Sequence, residues 1–341
     1  MINLDTKDRK ILYYLDKNSR QSFSSIGKKV GLHRNNIIKR VQKLKDEGVI
    51  FKFFTHFDPT RLGYQILRFY FVLQYTSPSL KKQIIDDLVK NKYSMTVNSC
   101  EGNIDLSAYF IIKNIYEFQK IWDKFLCKYR DYFSKTYFSF WCNSYMYNYT
   151  FLIDNKSVKR YDIDNFMKFG GGKRFEMDIL DLQILKIIFS NARKPTIEIA
   201  KELNVTTSTI NSRIRNLEKK GIINGYGLWI NFDKLDYNLY KLDIFLRDGG
   251  QRNKMNNYIL NNPHVRSQYV SIGDCADLEY EIILKNVNYL HEFMDNVIEK
   301  FPDSIKNYSY FNSIKMHKLS AYDLFPDYLN KGINKQINTK N

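Results

Sequence analysis

The sequence predicts an α+β protein built as a tandem duplication, each copy a winged helix-turn-helix followed by a βαββαβ sandwich. Three observations carry this. Thr196 to Gly221 reads as a short helix, a tight turn, a longer helix and a stop. Leu4 to Ile50 repeats that pattern without a gap. After each copy the apolar spacing changes from helical to alternating, as a strand requires.

In the better-formed copy, Ile197, Ile199, Ala200 and Leu203 form the expected buried face of the short helix, with Thr196 as its cap. Asn204 suits a left-handed turn and Val205 plugs the gap between helices. Thr206 or Thr207 is expected to cap the second helix; Ile210, Ile214 and Leu217 recur at helical spacing, and Gly221 ends it. Ser208, Thr209, Asn211, Ser212, Arg213 and Arg215 then face outward. A polar, hydrogen-bonding second helix of this kind fits a DNA major groove. The bland alternative is an ordinary helical hairpin.

The repeat is specific. Asp5-x-x-Asp8-x-x-Ile11-Leu12 matches Asp178-x-x-Asp181-x-x-Ile184-Leu185, and Asn18-x-Arg20 matches Asn191-x-Arg193. Ile26, Lys28, Ile37, Arg40, Leu44, Gly48 and Ile50 match Ile199, Lys201, Ile210, Arg213, Leu217, Gly221 and Ile223, every pair 173 positions apart. First helices are expected at 6–17 and 179–190, second at 23–30 and 196–203, third at 34–47 and 207–220. β-rich stretches at 50–57 and 222–232 stand where wings belong. The first copy turns Arg34, Asn35, Asn36, Lys39 and Arg40 outward, with His33 where Ser or Thr would cap better.

Each sandwich reads as strand, helix, two strands, helix, strand. The first runs 64–76, 78–90, 94–100, 104–113, 115–129 and 133–150; the second runs 238–248, 251–261, 265–272, 277–285, 287–301 and 304–317. That is a ferredoxin-like order, whose helices cover one sheet face. Tyr and Phe packed into strands such as YFSKTYFSFW suggest burial of the other face between the two sandwiches, although plain β-propensity and core filling account for most of them. The domains expected are 1–58, 59–150, a linker 151–175 with flexible Gly170–Gly172, then 176–232, 233–320 and a polar tail 321–341, in which Tyr322, Leu324, Phe325 and Tyr328 could dock.

Composition limits the function classes. The 341 residues carry a formal charge of +17 and are 44% hydrophobic. The charge suits a polyanion such as DNA, although the wealth of Lys, Asn, Ile, Tyr and Phe is also what an A/T-rich genome writes. No apolar run spans a membrane, and no signal-peptide core opens the chain. Cys100, Cys127, Cys142 and Cys275 are scattered without a CxxC pair, so zinc and disulfides are not expected and a cytoplasmic setting fits. The five histidines have no metal spacing, and no nucleophile motif or phosphate loop appears; no cofactor, no metal and no enzyme activity are expected.

The elements LDTKDRKIL…NSR…IGKKVGL…IIKRVQKLKDEGVI and MDILDLQIL…NAR…IAKELNV…INSRIRNLEKKGII resemble the Lrp/AsnC (feast/famine) transcription regulators, over nearly the whole chain and twice. The resemblance implies sequence-specific DNA binding, pairing through the sandwich sheets, and a small effector such as an amino acid. The family's Gly-x-x-Asp turn corresponds to Gly102 and Asp105, and more loosely to Gly273 and Asp277, which are the candidate ligand residues. For DNA the candidates are Arg34, Asn35, Asn36, Lys39, Thr207, Ser208, Thr209, Asn211, Ser212 and Arg215. Lys28 and Lys201 are expected on backbone phosphate, and Arg40 and Arg213 to hold phosphate or brace the helix. The chain departs from the family in being fused, so an intrachain pseudo-dimer is expected, with homo-oligomers as the alternative.

Two other readings compete. Sirohaem decarboxylases look like paired, sometimes fused, modules of this kind. Their His-Asn-Tyr element would fall at Val97–Glu101 and Gln268–Ile272, where this chain has no His and where Glu101 has the wrong charge for a carboxylate-rich ligand. The other reading is a small-molecule sensor whose first DNA-binding half has degenerated.

Overall fold

The computed structural model describes residues 2–153 and 166–319. The tail 321–341, including Tyr322, Leu324, Phe325 and Tyr328, lies outside the described residues, as do residues 154–165 of the expected linker.

Each half opens with three helices: α1 (Thr6–Lys17), α2 (Phe23–Val30) and α3 (Arg34–Asp46) in the first half. Strand β1 (Ile50–Phe57) follows, then β2 (Gln65–Leu73), α4 (Pro78–Lys90), β3 (Ser94–Gly102), β4 (Leu106–Ile112), α5 (Ile115–Tyr129) and β5 (Phe133–Tyr147). A short strand β6 (Phe166–Phe169) leads into the second half. That half repeats the order as α6 (Ile179–Ser190), α7 (Thr196–Glu202), α8 (Thr207–Lys219), β7 (Ile223–Ile230), β8 (Asn238–Leu246), α9 (Arg252–Leu260), β9 (Val265–Gly273), β10 (Leu278–Leu284), α10 (Val287–Lys300) and β11 (Ile305–Leu319). The tandem α+β architecture expected from the sequence is therefore the one observed.

The two wings do not fold back on themselves. β1 and β7 pair antiparallel with each other, Phe53 opposite Leu228 and Thr55 opposite Tyr226. The helices join across this ribbon in reciprocal fashion. Ser19 N–H donates to the Tyr226 carbonyl at 2.8 Å, and Ala192 N–H to the Phe53 carbonyl at 3.1 Å. Asp58 N–H donates to Ile222 at 2.8 Å, and Asn231 N–H to Val49 at 2.9 Å. Each pair is one bond seen from both sides of a pseudo-twofold axis. Ile11, Leu15, Ile26 and Ile37 share one core with Leu185, Ile188, Ile199 and Ile210, so the two helix-turn-helix units are one body.

The sandwiches pair by closing a barrel. The first half orders its strands β5-β2-β4-β3 and the second β11-β8-β10-β9. The two 15-residue strands bridge them: β5 begins against β2 and continues against β9, while β11 begins against β8 and continues against β3. Outside the barrel, α4 and α5 cover Leu67, Phe69, Phe71 and Phe110, and α9 and α10 cover Leu242, Ile244, Tyr280 and Ile282. The remaining faces look into the lumen, where the strand alternation places Arg68, Tyr70, Lys241, Asp243 and Glu279. The expected sheet-face burial is thus achieved by strand exchange and closure, which leaves no free edge between the halves.

Three local expectations are corrected. Pro195, not Thr196, occupies the cap position of α7 and makes no side-chain cap bond. Ile197 is 68% exposed, because the seven-residue helix buries Ile199 and Ala200 instead. Gly170–Gly172 is not a free hinge: Gly170 N–H donates to Asp58 Oδ2 at 2.9 Å, and a Cβ on Gly170 would lie 2.1 Å from the Cys142 carbonyl.

Candidate nucleic-acid interface

The second helix-turn-helix forms as its residues dictate. Asn204 takes φ 52° in the turn. The Thr206 side chain accepts from Thr209 N–H at 3.2 Å, and its Oγ1 also lies 2.8 Å from Thr209 Oγ1 and 3.1 Å from Ser208 Oγ. Ile210, Ile214 and Leu217 are buried. Ser208, Ser212 and Arg215 are exposed, and Thr207, Thr209 and Asn211 are half-buried around them. In the first unit Gly31 makes the left-handed turn at φ 70°, and Ile37, Val41 and Leu44 are buried. His33 stands at the cap position without a side-chain bond. Arg34, Asn35, Asn36 and Lys39 are exposed, and their side chains make no hydrogen bond or ion pair among the described residues. Lys28 and Lys201 are exposed on the neighbouring helices.

Arg40 and Arg213 differ from the rest of the face. Arg40 Nη1 lies 2.7 Å from both Asp5 Oδ2 and Asp8 Oδ1. Arg213 is paired with Asp178 and, at 3.3 Å, with Asp181. Each arginine ties its recognition helix to the start of its own first helix. Hydrogen bonds that it donates to Asp8 and then Asp5 hold the Arg40 guanidinium above its ordinary pKa. Burial opposes ionisation of Asp5, but the Asp8 N–H and Arg40 outweigh it and hold the carboxyl below its usual range.

Sequence reading missed two features here. The repeated Asp-x-x-Asp is a clasp for the repeated arginine, a role that the shared spacing of Asp5, Asp8 and Arg40 with Asp178, Asp181 and Arg213 could have suggested. The repeated Arg20 and Arg193 lace the units together: Arg20 donates to the Ala192 carbonyl at 2.7 Å, and Arg193 to the Ser19 carbonyl and, at 3.1 Å, to the Gln21 carbonyl.

The turn residues lie far along the barrel strands. Gly102 and Gly273 adopt φ 124° and 117°, and a Cβ on either would lie 2.8 Å from the Tyr310 carbonyl or 2.6 Å from the Phe138 carbonyl. Each glycine lets the exchanged strand of the other half pass. Asp105 accepts from Leu73 N–H at 2.8 Å and Asp277 from Leu246 N–H at 2.8 Å, capping the ends of β2 and β8. Among the described residues no group of three or more His, Cys, Asp or Glu side chains could hold a metal ion, and no helix is long and apolar enough to cross a membrane.

Residues 4–45 match the AsnC-type helix-turn-helix domain and residues 177–224 the winged helix-turn-helix DNA-binding domain. An uncharacterized HTH-type transcriptional regulator of Pyrococcus furiosus is 35% identical over 109 residues, 32% of this chain and 70% of that protein. The chain belongs to the Lrp/AsnC family of helix-turn-helix transcriptional regulators. The regulator FL11 of Pyrococcus abyssi is 31% identical over 122 residues, 36% of this chain and 80% of its own. These Lrp/AsnC relatives match about a third of this chain each, as one copy of the duplication would. The crystal structure of the siroheme decarboxylase NirDL superimposes on 98% of this chain and 99% of its own, with a TM-score of 0.62 and 12% identity. That likeness shows that the fused double arrangement is a known fold; at this identity it speaks of fold alone.

Proposed function

We propose that this chain is a self-contained, sequence-specific DNA-binding regulator of transcription in which a single polypeptide supplies both recognition helices. The observation that carries the reading is the contrast on those helices. Arg40 and Arg213 are bound to carboxylates, while Arg34, Asn35, Asn36 and Lys39 in one copy, and Asn211, Ser212 and Arg215 in the other, leave donors and acceptors for base edges and phosphates. Lys28 and Lys201 supply sequence-independent phosphate contacts. Because Arg34-Asn35-Asn36 faces one half-site and Ser208-Thr209 with Asn211 the other, the preferred operator is asymmetric.

Binding-site selection from random duplexes tests the reading. An asymmetric consensus supports it; a perfect palindrome, or no enrichment, overturns it. An amino acid held by Gly102, Asp105, Gly273 and Asp277 would have to displace the backbone bonds those carboxylates already accept, so we place these four residues in the frame of the barrel. Relatives that are regulators favour a non-enzymatic role over decarboxylation, as does the lack of His in Val97–Glu101 and Gln268–Ile272.

A further inference from the structure

Between the wing ribbon and the barrel lies a cavity of about 130 Å³, one wall made by Phe54–Phe57 of β1 and the others by β2, β3, β5, β6, α6 and the end of β11. Its surface is almost wholly apolar. The polar groups that do line it are engaged or uncharged. Asp58 accepts from Thr60 N–H at 3.0 Å, Thr60 Oγ1 at 2.6 Å and Gly170 N–H at 2.9 Å, so its carboxylate is spent on the chain itself. His56 is buried, its ring seated over Gly227, and burial together with the charge of Arg266 pulls its pKa down to about 3. The Trp141 indole N–H is buried and has no hydrogen-bond partner among the described residues. An unpaired buried donor is destabilising, and a bound acceptor relieves it.

We infer that this cavity is a binding site for one compact, uncharged, ring-bearing molecule that carries a hydrogen-bond acceptor for Trp141. The volume approaches the roughly 150 Å³ of a dry apolar cavity that takes a benzene-sized ring. A zwitterion such as a free amino acid is excluded, because neither a free cation nor a free carboxylate lines the walls. Among the described residues the site occurs once per chain. The twin of the apolar Met146 in the second half is Lys318, as the matched starts of β5 and β11 at Phe133 and Ile305 show, and the Phe169–Gly170 wall belongs to β6, which stands between the two halves.

The test needs no DNA, so it stands or falls apart from the proposed regulatory role. Phenol is titrated into the 15N-labelled full chain while the indole N–H signals of Trp122, Trp141 and Trp229 are followed, with Trp141→Phe identifying the middle one. The expected result is a saturable shift of the Trp141 signal alone, no shift with phenylalanine, and phenol affinity weakened about tenfold or more in Cys142→Leu, which adds side-chain volume to a lining position. Met95→Phe serves as a second filling variant if Cys142→Leu does not fold. The absence of a saturable Trp141 shift, or equal affinity in a folded filled variant, overturns the proposal.

Discussion

Arg68 and Lys241, 173 positions apart and equivalent in the two halves, reach the same oxygen of one carboxylate: Glu279 Oε2 lies 2.7 Å from Arg68 Nη2 and 2.9 Å from Lys241 Nζ. The strand registers show how unequal the halves are around this point. Tyr70 faces Ser107 in the first half, and Asp243 faces Glu279 in the second. The first half therefore brings a cation without a carboxylate, and the second brings the carboxylates. A barrel of two first halves would bury two arginines unpaired, and one of two second halves would crowd carboxylates; charge complementarity selects one of each.

Glu279→Gln accordingly leaves the buried Arg68 without its carboxylate and Lys241 with Asp243 alone, and is expected to cost about 3–5 kcal/mol in chemical denaturation. Burial alone would raise the Glu279 carboxyl, but Lys241 and then Arg68 outweigh it and bring its pKa from 4.5 to about 2. A pKa depressed in the folded state contributes stability that is complete above the unfolded value and is lost as pH falls through the folded one. Wild-type stability should thus fall between pH 4.5 and 2 more steeply than that of Glu279→Gln. Parallel pH profiles for the two would contradict the assignment.

The same asymmetry predicts the state of assembly. Asp16 of α1 and Arg266 of β9 form a second buried pair across the halves, with Nη1–Oδ2 at 3.1 Å and Nη2–Oδ1 at 3.2 Å. With the barrel closed and the wings paired, one chain already satisfies what a family dimer provides. Light scattering should give the mass of one chain, and that monomer should retain DNA binding; an obligate large assembly would count against it.

The duplication, the two helix-turn-helix units and the order of strands and helices were legible because period, caps and turns are local signals. Asn204 and Thr206 do in the structure what their chemistry prescribes. What was not legible is where the halves meet. No local pattern tells that Thr55 will pair with Tyr226 rather than with its own hairpin, or that Phe140 will have Leu67 on one side and Ile272 of the other half on the other. The Arg68–Glu279 pair was invisible for the same reason, since its members are 211 positions apart. Ile197 misled because a short helix has too few turns to define its buried face.

The two caps offer a direct comparison. Thr206 caps α8 through its hydroxyl, whereas His33 at the same position makes no such bond. His33→Ser should raise stability by about 1 kcal/mol and Thr206→Ala should lower it by a similar amount. Both are measured as shifts in the denaturation midpoint. No gain from His33→Ser would mean that the backbone at His33 holds the hydroxyl away from the N–H of Asn36.

DNA variants should separate reading from bracing. Arg34→Ala with Asn35→Ala, and separately Ser208→Ala with Arg215→Ala, should each relax preference at one half-site and leave the other intact. The expected cost is about 1–3 kcal/mol for each bidentate hydrogen-bonded pairing with a base that the change removes. Lys28→Ala should weaken all sequences alike and reduce the salt slope by about one. Arg40→Gln should instead act on the fold. Its partner Asp5 is largely exposed and Asp8 nearly buried, so the loss is expected to be about 1 kcal/mol of stability with base preference unchanged. Selection of bound duplexes for each variant, beside its unfolding midpoint, distinguishes the three classes. If Arg40→Gln changed the selected sequence while the midpoint stayed fixed, the carboxylate clasp would be a feature of the free protein that DNA displaces, and Arg40 would join the reading face.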